Sequence, residues 1–469
     1  MEFKHLAFFI ALLSVIPMTF MCMFSQKFIK ACIYLIIAFQ IFYQQTAINF
    51  MSNPHYKGTA LGFEISIIHL ISYSLLIGML LRQWPIKFIF PGTLSYLIYY
   101  IICIMTLSSS PNLKYSCFEL FKMFNLFCVY LAVVNYLYLT HDFDSFIWGL
   151  ATIILASFFV AFKMKYIQGR VQVPGIFSHQ NCAGMFMCLV GPIFLSRILN
   201  KKDNILKSVF FMIIFLMAFL CALFTYSRGS LACFPLACAI TIFLSLIFNL
   251  NFKTIMVLII TGLLGILACA YSAPTIINRF TNATPASAAM RVMLADVAVK
   301  IMKDKPLLGC GINTWGIVGK SPRYNKYQEN FNFEEGDFIG IVETTYLLVG
   351  AECGFLGLGA LICWYLYHLF LAVLQSFHWR HTDYFYIPSG LVGGFIANYL
   401  QSTLEWVLKQ QVNFCTLFCC FAMVAALAQG IKEHTTLSKL EEIIAQKERK
   451  RKLREEAQQS EASPQLTPP

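Results

Sequence analysis

The sequence predicts an all-α membrane protein, a bundle of about 12 to 13 transmembrane helices with one large extracytoplasmic loop that contains an amphipathic helix. Of the 469 residues, 58% are hydrophobic and 12% are charged, which is about half of the charged fraction of an average soluble domain. Apolar stretches of about 20 residues, the length of one helical crossing, recur along nearly the whole chain. Because these stretches lack the alternation of barrel strands, helices are expected and a soluble protein is excluded.

Apolar windows give the positions of the expected helices. They are residues 6–24, 28–48, 61–81, 88–107, 118–139, 145–162, 176–198, 206–226, 230–250, 253–273, 342–373, 385–404 and 411–429. The tail after Gly430 is rich in Lys and Arg, which the positive-inside rule places in the cytoplasm. Alternation then puts the long insertion 274–340 on the outer face, together with the shorter segments 163–175 and 227–229.

The expected outer face carries several cations. Lys163, Lys165 and Arg170 break the positive-inside bias, which either counts against this topology or means that the face binds an anion, and we favour the second. Arg228 lies at the outer end of a helix and Arg291 near the start of the loop helix. A guanidinium fork can hold phosphate oxygens in two hydrogen bonds. We therefore expect Arg228 and Arg291 to clamp a diphosphate, the alternatives being snorkelling to lipid headgroups and plain exposure.

Three segments of the chain have amphipathic or polar patterns outside the spans. Residues 288–306 have apolar positions at helical spacing and end at Pro306, which predicts an amphipathic helix in the outer loop. Residues 321–337 are polar and aromatic, typical of a flexible loop that covers a sugar-like ligand or of a simple connector. Residues 437–456 in the tail are interpreted either as a short amphipathic helix on the inner surface or as a solvated charged segment.

Polar residues interrupt one apolar helix near its start. Ser178, His179, Gln180 and Asn181 stand together, and a lipid-facing helix would not tolerate four such residues. We expect His179 and Asn181 to line a cavity, with His179 more often a hydrogen-bonded interior residue than a base.

Two carboxylates begin the helix after the outer loop. They are Glu343 and Glu352. Glu352 is also expected to line the cavity, while capping of the helix dipole is the simpler role for both residues.

The sequence gives little support for a metal site, a cofactor site or a nucleic-acid-binding site. The close pair His378 and His381 has no carboxylate set beside it, and most of the 17 cysteines lie in apolar spans, so neither a metal site nor another cofactor is expected. The net charge of +12 belongs largely to the tail and the inner loops, which argues against nucleic-acid binding.

Four groups of residues resemble the O-antigen ligase and polymerase superfamily of membrane glycosyltransferases. They are PGIFSHQN at 174–181, YSRG at 226–229, MR at 290–291 with KPLLGCG at 305–311, and ETTYL at 343–347 with AECGFLG at 351–357. The resemblance implies a polyprenyl-diphosphate-linked glycan donor such as undecaprenyl diphosphate, an outer-face cavity, and arginines at the positions of Arg228 and Arg291 that bind the diphosphate. The family has a histidine followed by an asparagine after the loop, whereas this chain has Glu343 and Thr344.

The resemblance and the spans divide the chain into four parts. They are N-terminal transmembrane helices at 1–173, a ligase/polymerase-like core at 174–373 that includes the outer loop 274–340, C-terminal transmembrane helices at 374–430, and a basic cytoplasmic tail at 431–469. The implied location is the cytoplasmic (inner) membrane of a bacterium, crossed many times and in contact with its lipid, within polysaccharide biosynthesis for the cell envelope.

Glycosyl transfer requires a base for the acceptor hydroxyl, and a carboxylate can act in place of histidine. We therefore expect Glu343, Arg291 and Arg228 to be the catalytic residues, with the donor diphosphate held by the two arginines together with Lys163, Lys165 and Arg170, and no metal required. The acceptor is left open: a polymerase, a ligase and a protein oligosaccharyltransferase all fit. A transporter or flippase of lipid-linked sugars is the alternative of a different class, although its polar residues would be expected near mid-membrane and on both sides.

Overall fold

The computed structural model describes residues 3–250, 252–281, 285–325 and 340–433, together with Gln446 and Arg449. Within these ranges ten helices are long and apolar enough to cross a membrane, and two more are apolar but shorter. The chain is therefore an all-α polytopic bundle, as predicted. The expected tail helix at 437–456, nearly all of the tail 431–469 and residues 326–337 of the expected lid lie outside the described residues.

The first half of the bundle contains eight helices and a small hairpin. They are α1 (Phe3–Leu13), α2 (Val15–Phe24), α3 (Gln26–Ala38), α4 (Tyr43–Thr46), β1 (Ile48–Ser52), β2 (Gly62–Ile65), α5 (Ile67–Leu81), α6 (Thr93–Met105), α7 (Leu113–Thr140) and α8 (Phe143–Phe162).

The second half contains the core of the bundle and the helices of the long insertion expected on the outer face. They are α9 (Gln180–Asn200), α10 (Ile205–Phe224), α11 (Arg228–Phe248), α12 (Phe252–Thr281), α13 (Pro285–Asp304), α14 (Trp315–Val318), α15 (Pro322–Asn325), α16 (Thr345–His378), α17 (Tyr386–Gln401) and α18 (Gln411–Glu433).

The β-hairpin corrects two predicted boundaries. The expected helix at 61–81 begins only at Ile67, and the one at 28–48 ends by Thr46, because Ile48–Ser52 pairs antiparallel with Gly62–Ile65. Both strands contain β-branched and aromatic residues, which favour extended backbone. A hydropathy window of helical length averages over such short strands and cannot separate them from the helix that follows.

Helix α9 lies at the centre of the bundle. Every residue of its most apolar stretch is buried, whereas in α12 only 11% of the corresponding stretch is buried. Gly390 and Gly394 of α17 lie against the backbone of Ile193 and Leu189 in α9, so that a Cβ atom at either glycine would come within 3 Å of that backbone. Small residues at such a contact allow two membrane helices to pack closely.

One end of the bundle collects the loops that the sequence singled out, and we call it the site end. The C-terminal ends of α8, α10, α12 and α17 meet there with the N-terminal ends of α7, α9, α11, α16 and α18, as the alternation of the helices requires. Ser116 at the start of α7 donates to the carbonyl of Ile312 at 2.7 Å. Thr59 in the hairpin loop donates its backbone N–H to the side-chain oxygen of Asn313 at 2.8 Å. The hairpin and the residues after α13 thus cover the same end of the bundle.

The turn after α13 is joined to α16 by backbone hydrogen bonds. Cys310 and Gly311 donate to the carbonyls of Ala351 and Glu352, both at 2.9 Å, and Phe355 donates to Pro306 at 2.7 Å. Helix α16 is broken at Gly354, which has φ 67°. The apolar face of α13, including Leu294, packs on Leu348 and Ala351 of α16.

Candidate active site

Arg291 on α13 contacts two carboxylates at the site end. Its guanidinium forms an ion pair with Glu343, just before α16, and its Nη2 lies 3.5 Å from the Oε1 atom of Glu405. The side chains of Arg291 and Glu343 are about one-third exposed, whereas that of Glu405 is 7% exposed. We call Arg291, Glu343, Glu405 and Asn181 the arginine–carboxylate cluster.

Glu405 is the residue of the cluster that the sequence did not point to. It lies in the short link between α17 and α18, outside the membrane-spanning segments. Burial raises the pKa of Glu405 to about 7, and the negative charge of Glu343 acts in the same direction. The charge of Arg291 and a hydrogen bond with the Asn181 side chain act to lower this pKa. The signal in the sequence was a single acidic residue between two apolar spans, which is also what an ordinary loop contains.

Backbone contacts fix the start of α16 against this link. The N–H of Thr345 donates to the carbonyl of Ser402 at 3.0 Å, and the hydroxyl of Thr345 donates to the carbonyl of Glu405 at 3.0 Å. The hydroxyl of Thr344 donates to the carbonyl of Ser402 at 3.3 Å. Glu343 and Glu405 are therefore held together although 61 residues separate them along the chain.

Arg228 begins α11, whose first turn contacts the end of α17 just before the same link. Gly229 packs against Gln401, whose side-chain amide donates to the hydroxyl of Ser230 at 3.1 Å. Arg228 is partly exposed, and among the described residues it makes no ion pair. The residues 401–405 thus contact both the helix start that carries Arg228 and the cluster that contains Arg291.

The basic segment at 163–175 lies beside the end of α10. Lys165 donates to the hydroxyl of Tyr226 at 3.0 Å, and its ammonium lies 4.5 Å from the centre of that ring. Burial acts to raise the pKa of Tyr226, but the hydrogen bond and charge of Lys165, with further hydrogen bonds, hold it below its ordinary value. Lys163 and Arg170 are exposed.

The polar start of α9 borders the cluster. His179 is the N-cap of the helix, and its Nδ1 accepts a hydrogen bond from the N–H of Asn181 at 3.2 Å. Partial burial lowers the pKa of His179, against the opposing charge of Glu343. His179 and Asn181 thus lie near the two carboxylates, with the histidine serving as a cap.

Glu352 lies away from this surface. Its side chain is 1% exposed, and its Oε1 accepts from the N–H of Trp315 at 3.2 Å. Nearby, Glu119 on α7 pairs with Lys122 at 2.6 Å and with Lys409 at 3.3 Å. Glu352 therefore belongs to a buried structural network of charges and does not line the surface that holds Arg291, which differs from the expectation.

A family model described as O-antigen ligase matches residues 213–362. The match covers about a third of the 469-residue chain and supports the O-antigen ligase superfamily. The match supports a membrane glycosyltransferase of the O-antigen ligase type, in agreement with the resemblance of the motifs. No curated protein matches the chain.

The O-antigen ligase match contains part of the candidate site. Arg228, Arg291 and Glu343 lie inside the matched range, whereas Asn181 and Glu405 lie outside it. The flanking helices of the chain thus complete the cluster. Among the described residues, no group of three or more His, Cys, Asp or Glu side chains could hold a metal ion.

Proposed function

We propose that this protein transfers a glycan from a polyprenyl-diphosphate-linked donor to an acceptor hydroxyl at the outer face of the bacterial cytoplasmic membrane. The observation that supports this most directly is the position of Arg291. It contacts Glu343 and Glu405, and Glu405 lies four residues after Gln401, which contacts the start of the Arg228 helix. A cation for the leaving group and a base for the nucleophile are thus side by side, as glycosyl transfer requires.

In the proposed reaction the acceptor oxygen attacks the anomeric carbon of the donor sugar. The bond from that carbon to the diphosphate breaks, and polyprenyl diphosphate leaves with both electrons of the bond. The hydroxyl proton passes to Glu343, and Arg228 and Arg291 neutralise the charge that develops on the diphosphate. Because the arginines supply this charge, the proposal requires no metal ion.

Glu343 is assigned as the base because it is the more exposed carboxylate. About one-third of its side chain is open, so a substrate hydroxyl can reach it, whereas Glu405 is buried. Glu405 and Asn181 are positioning residues that orient Arg291. The ion pair between Arg291 and Glu343 is then the arrangement without substrate. When the donor binds, its diphosphate oxygens compete for the guanidinium, and Glu343 is freed to accept a proton.

The remaining cations are assigned to the outer part of the donor site. Lys163 and Arg170 are exposed and can meet phosphate oxygens or anionic headgroups. Lys165 acts through Tyr226, because its ammonium already donates to that hydroxyl.

The test is reconstitution of the full chain in vesicles with a polyprenyl-diphosphate-linked oligosaccharide and candidate acceptors, in the presence of EDTA. Release of polyprenyl diphosphate with a longer lipid-linked glycan would identify a polymerase, and release with glycan on a lipid core or a protein would identify a ligase or an oligosaccharyltransferase. We expect Arg291→Ala, Arg228→Ala and Glu343→Gln each to slow release by about 100-fold or more.

Arg323→Ala is the matched control for the arginine variants. Arg323 lies in the same outer loop, is exposed, and pairs with Asp304 at 2.8 Å, and an exposed pair of this kind contributes little to stability. Full activity of Glu343→Gln would remove Glu343 from the scheme. Movement of the lipid-linked sugar across the membrane without release of diphosphate would contradict the enzyme and favour a transporter.

A further inference from the structure

A cavity of about 390 Å³ lies under the β-hairpin at the site end. Four groups of residues form its walls: the chain from α3 to β1, the hairpin loop and β2, the polar start of α9 with α7, and the link into α18. The lining includes Asn49, Glu64, Phe121, Ser178, Trp406 and Gln411. Ser178 directly precedes His179, and Trp406 directly follows Glu405. The cavity therefore adjoins the arginine–carboxylate cluster without containing Arg291 or Glu343.

The lining of the cavity is rich in amides and aromatic rings. The Nε2 and Oε1 atoms of Gln411 and the Oδ1 atom of Asn49 are buried, and none of them has a hydrogen-bond partner among the described residues. Buried amide groups without partners cost free energy, so they indicate a polar ligand that supplies those partners. Amides both donate and accept, as sugar hydroxyls do, and aromatic faces such as Trp406 and Phe121 suit the apolar faces of a sugar ring.

The charges around the cavity balance. The ammonium of Lys122 in the wall is 2.6 Å from Glu119, and it also donates to the carbonyls of Thr59 and Lys409 at 3.0 and 3.2 Å. Glu64 adds a carboxyl group whose pKa is raised by burial, with Lys122 and a hydrogen bond from Tyr43 acting in the opposite direction. With no uncompensated cation in its described walls, the cavity is a poor site for a diphosphate.

We propose that this cavity binds an uncharged sugar residue of the acceptor glycan, an assignment that rests on the proposed glycosyl transfer. The reacting sugar of the donor is bonded to its diphosphate and so lies at the arginines. The acceptor must approach Glu343 from elsewhere, and the cavity adjoins the cluster. Its volume is at the lower end of the range of about 300 to 1,000 Å³ for small-molecule pockets, which suits a terminal sugar and excludes a whole oligosaccharide.

The experiment measures binding of two kinds of probe to the full chain in lipid nanodiscs. The sugar probes are methyl glycosides of neutral hexoses and N-acetylhexosamines, and the donor probe is inorganic pyrophosphate. We expect Gln411→Leu to weaken glycoside binding by about tenfold and to leave pyrophosphate binding unchanged, while Arg291→Ala does the reverse. Gln410→Leu, on the same wall, is the second variant in case Gln411→Leu misfolds. Gln26→Leu, an exposed glutamine outside the cavity, is the matched control.

Each result has a defined meaning. Failure of all glycosides to bind while pyrophosphate binds, or glycoside binding that neither cavity variant weakens, overturns the sugar assignment and leaves the diphosphate site intact. If the protein binds glycosides in a way that depends on Gln411 but does not bind pyrophosphate, the sugar site is supported and the proposed donor site is contradicted. In the reconstituted reaction, a glycoside that competes with the acceptor supports the proposal, whereas one that competes with the donor overturns it.

Discussion

At the residue scale, Arg291 has two carboxylate partners of different character. Glu343 is exposed enough to meet a substrate, whereas Glu405 is buried and also bonded to Asn181. Enzymes often contain two carboxylic acids in different surroundings. One of them takes part in the reaction, and the other stabilises the charges of the site. Glu343, the proposed base, therefore lies beside a second carboxylate that also contacts the arginine.

Glu405→Gln should make the stability of the protein less dependent on pH. Burial raises the pKa of Glu405 from 4.5 to about 7, so the folded chain binds this proton more tightly than the unfolded chain does. The stabilisation from this group is complete below about pH 4.5 and is lost as the pH rises through about 7, by at most roughly 3 kcal/mol. The melting temperature of the wild type should fall more between pH 5 and pH 8 than that of Glu405→Gln.

The control for this measurement is Asp296→Asn. Asp296 is an exposed carboxylate on α13, the helix that carries Arg291, and its replacement should leave the wild-type dependence on pH unchanged. If the melting curves of Glu405→Gln and the wild type shift in parallel over this pH range, Glu405 does not titrate there and its described environment is wrong.

At the element scale, the site depends on how the segment that carries α13 is attached to α16. The turn at 306–311 forms three backbone hydrogen bonds with the broken region of α16. Helix α13, which precedes this turn, carries Arg291, and α16 follows Glu343 directly. The break in α16 therefore sets the distance between the arginine and its carboxylate partner.

Gly354→Ala should disturb this attachment. Gly354 has φ 67°, and a Cβ atom there would collide with the backbone carbonyl of Leu307. We expect a loss of at least about 1 to 3 kcal/mol from backbone strain alone, seen as a lower melting temperature in detergent, together with lower transferase activity because Arg291 shifts relative to Glu343.

Gly359→Ala is the matched control in the same helix. Its Cβ atom would meet nothing within 4 Å and its residue is exposed, while alanine favours the helix more than glycine does. Its melting temperature should equal or exceed that of the wild type. Equal melting temperatures and activities for the two variants would show that the break in α16 does not position the site.

At the scale of the whole molecule, the sequence predicts the spans well and the site only in part. Long apolar stretches determine the helices because only a helix satisfies its backbone within lipid. The hairpin cannot be predicted from long apolar stretches, because its strands have only four or five residues. The role of Glu405 cannot be predicted in this way either. Its proximity to Arg291 and Asn181 arises from the packing of α17, α13 and α9 and not from any local sequence pattern.

The orientation of the bundle decides which substrate pool the site can meet. The loops at Gly169 and Gly319 lie at the site end, and those at Gln83 and Lys202 at the opposite end. With the basic tail in the cytoplasm, the site end faces outward. We expect alkaline phosphatase fused after Gly169 or Gly319 to be active, and a fluorescent protein fused after Gln83 or Lys202 to fluoresce.

Each fusion site serves as the control for its opposite reporter. Phosphatase should be inactive after Gln83 and Lys202, because this enzyme folds only where its disulfides form, outside the cytoplasm. The reverse pattern at all four sites would mean that the bundle is inverted and that the cationic tail lies outside. Arg228, Arg291 and Glu343 would then face the cytoplasm, where they could act only on a donor that has not yet crossed the membrane, and transfer at the outer face would be ruled out.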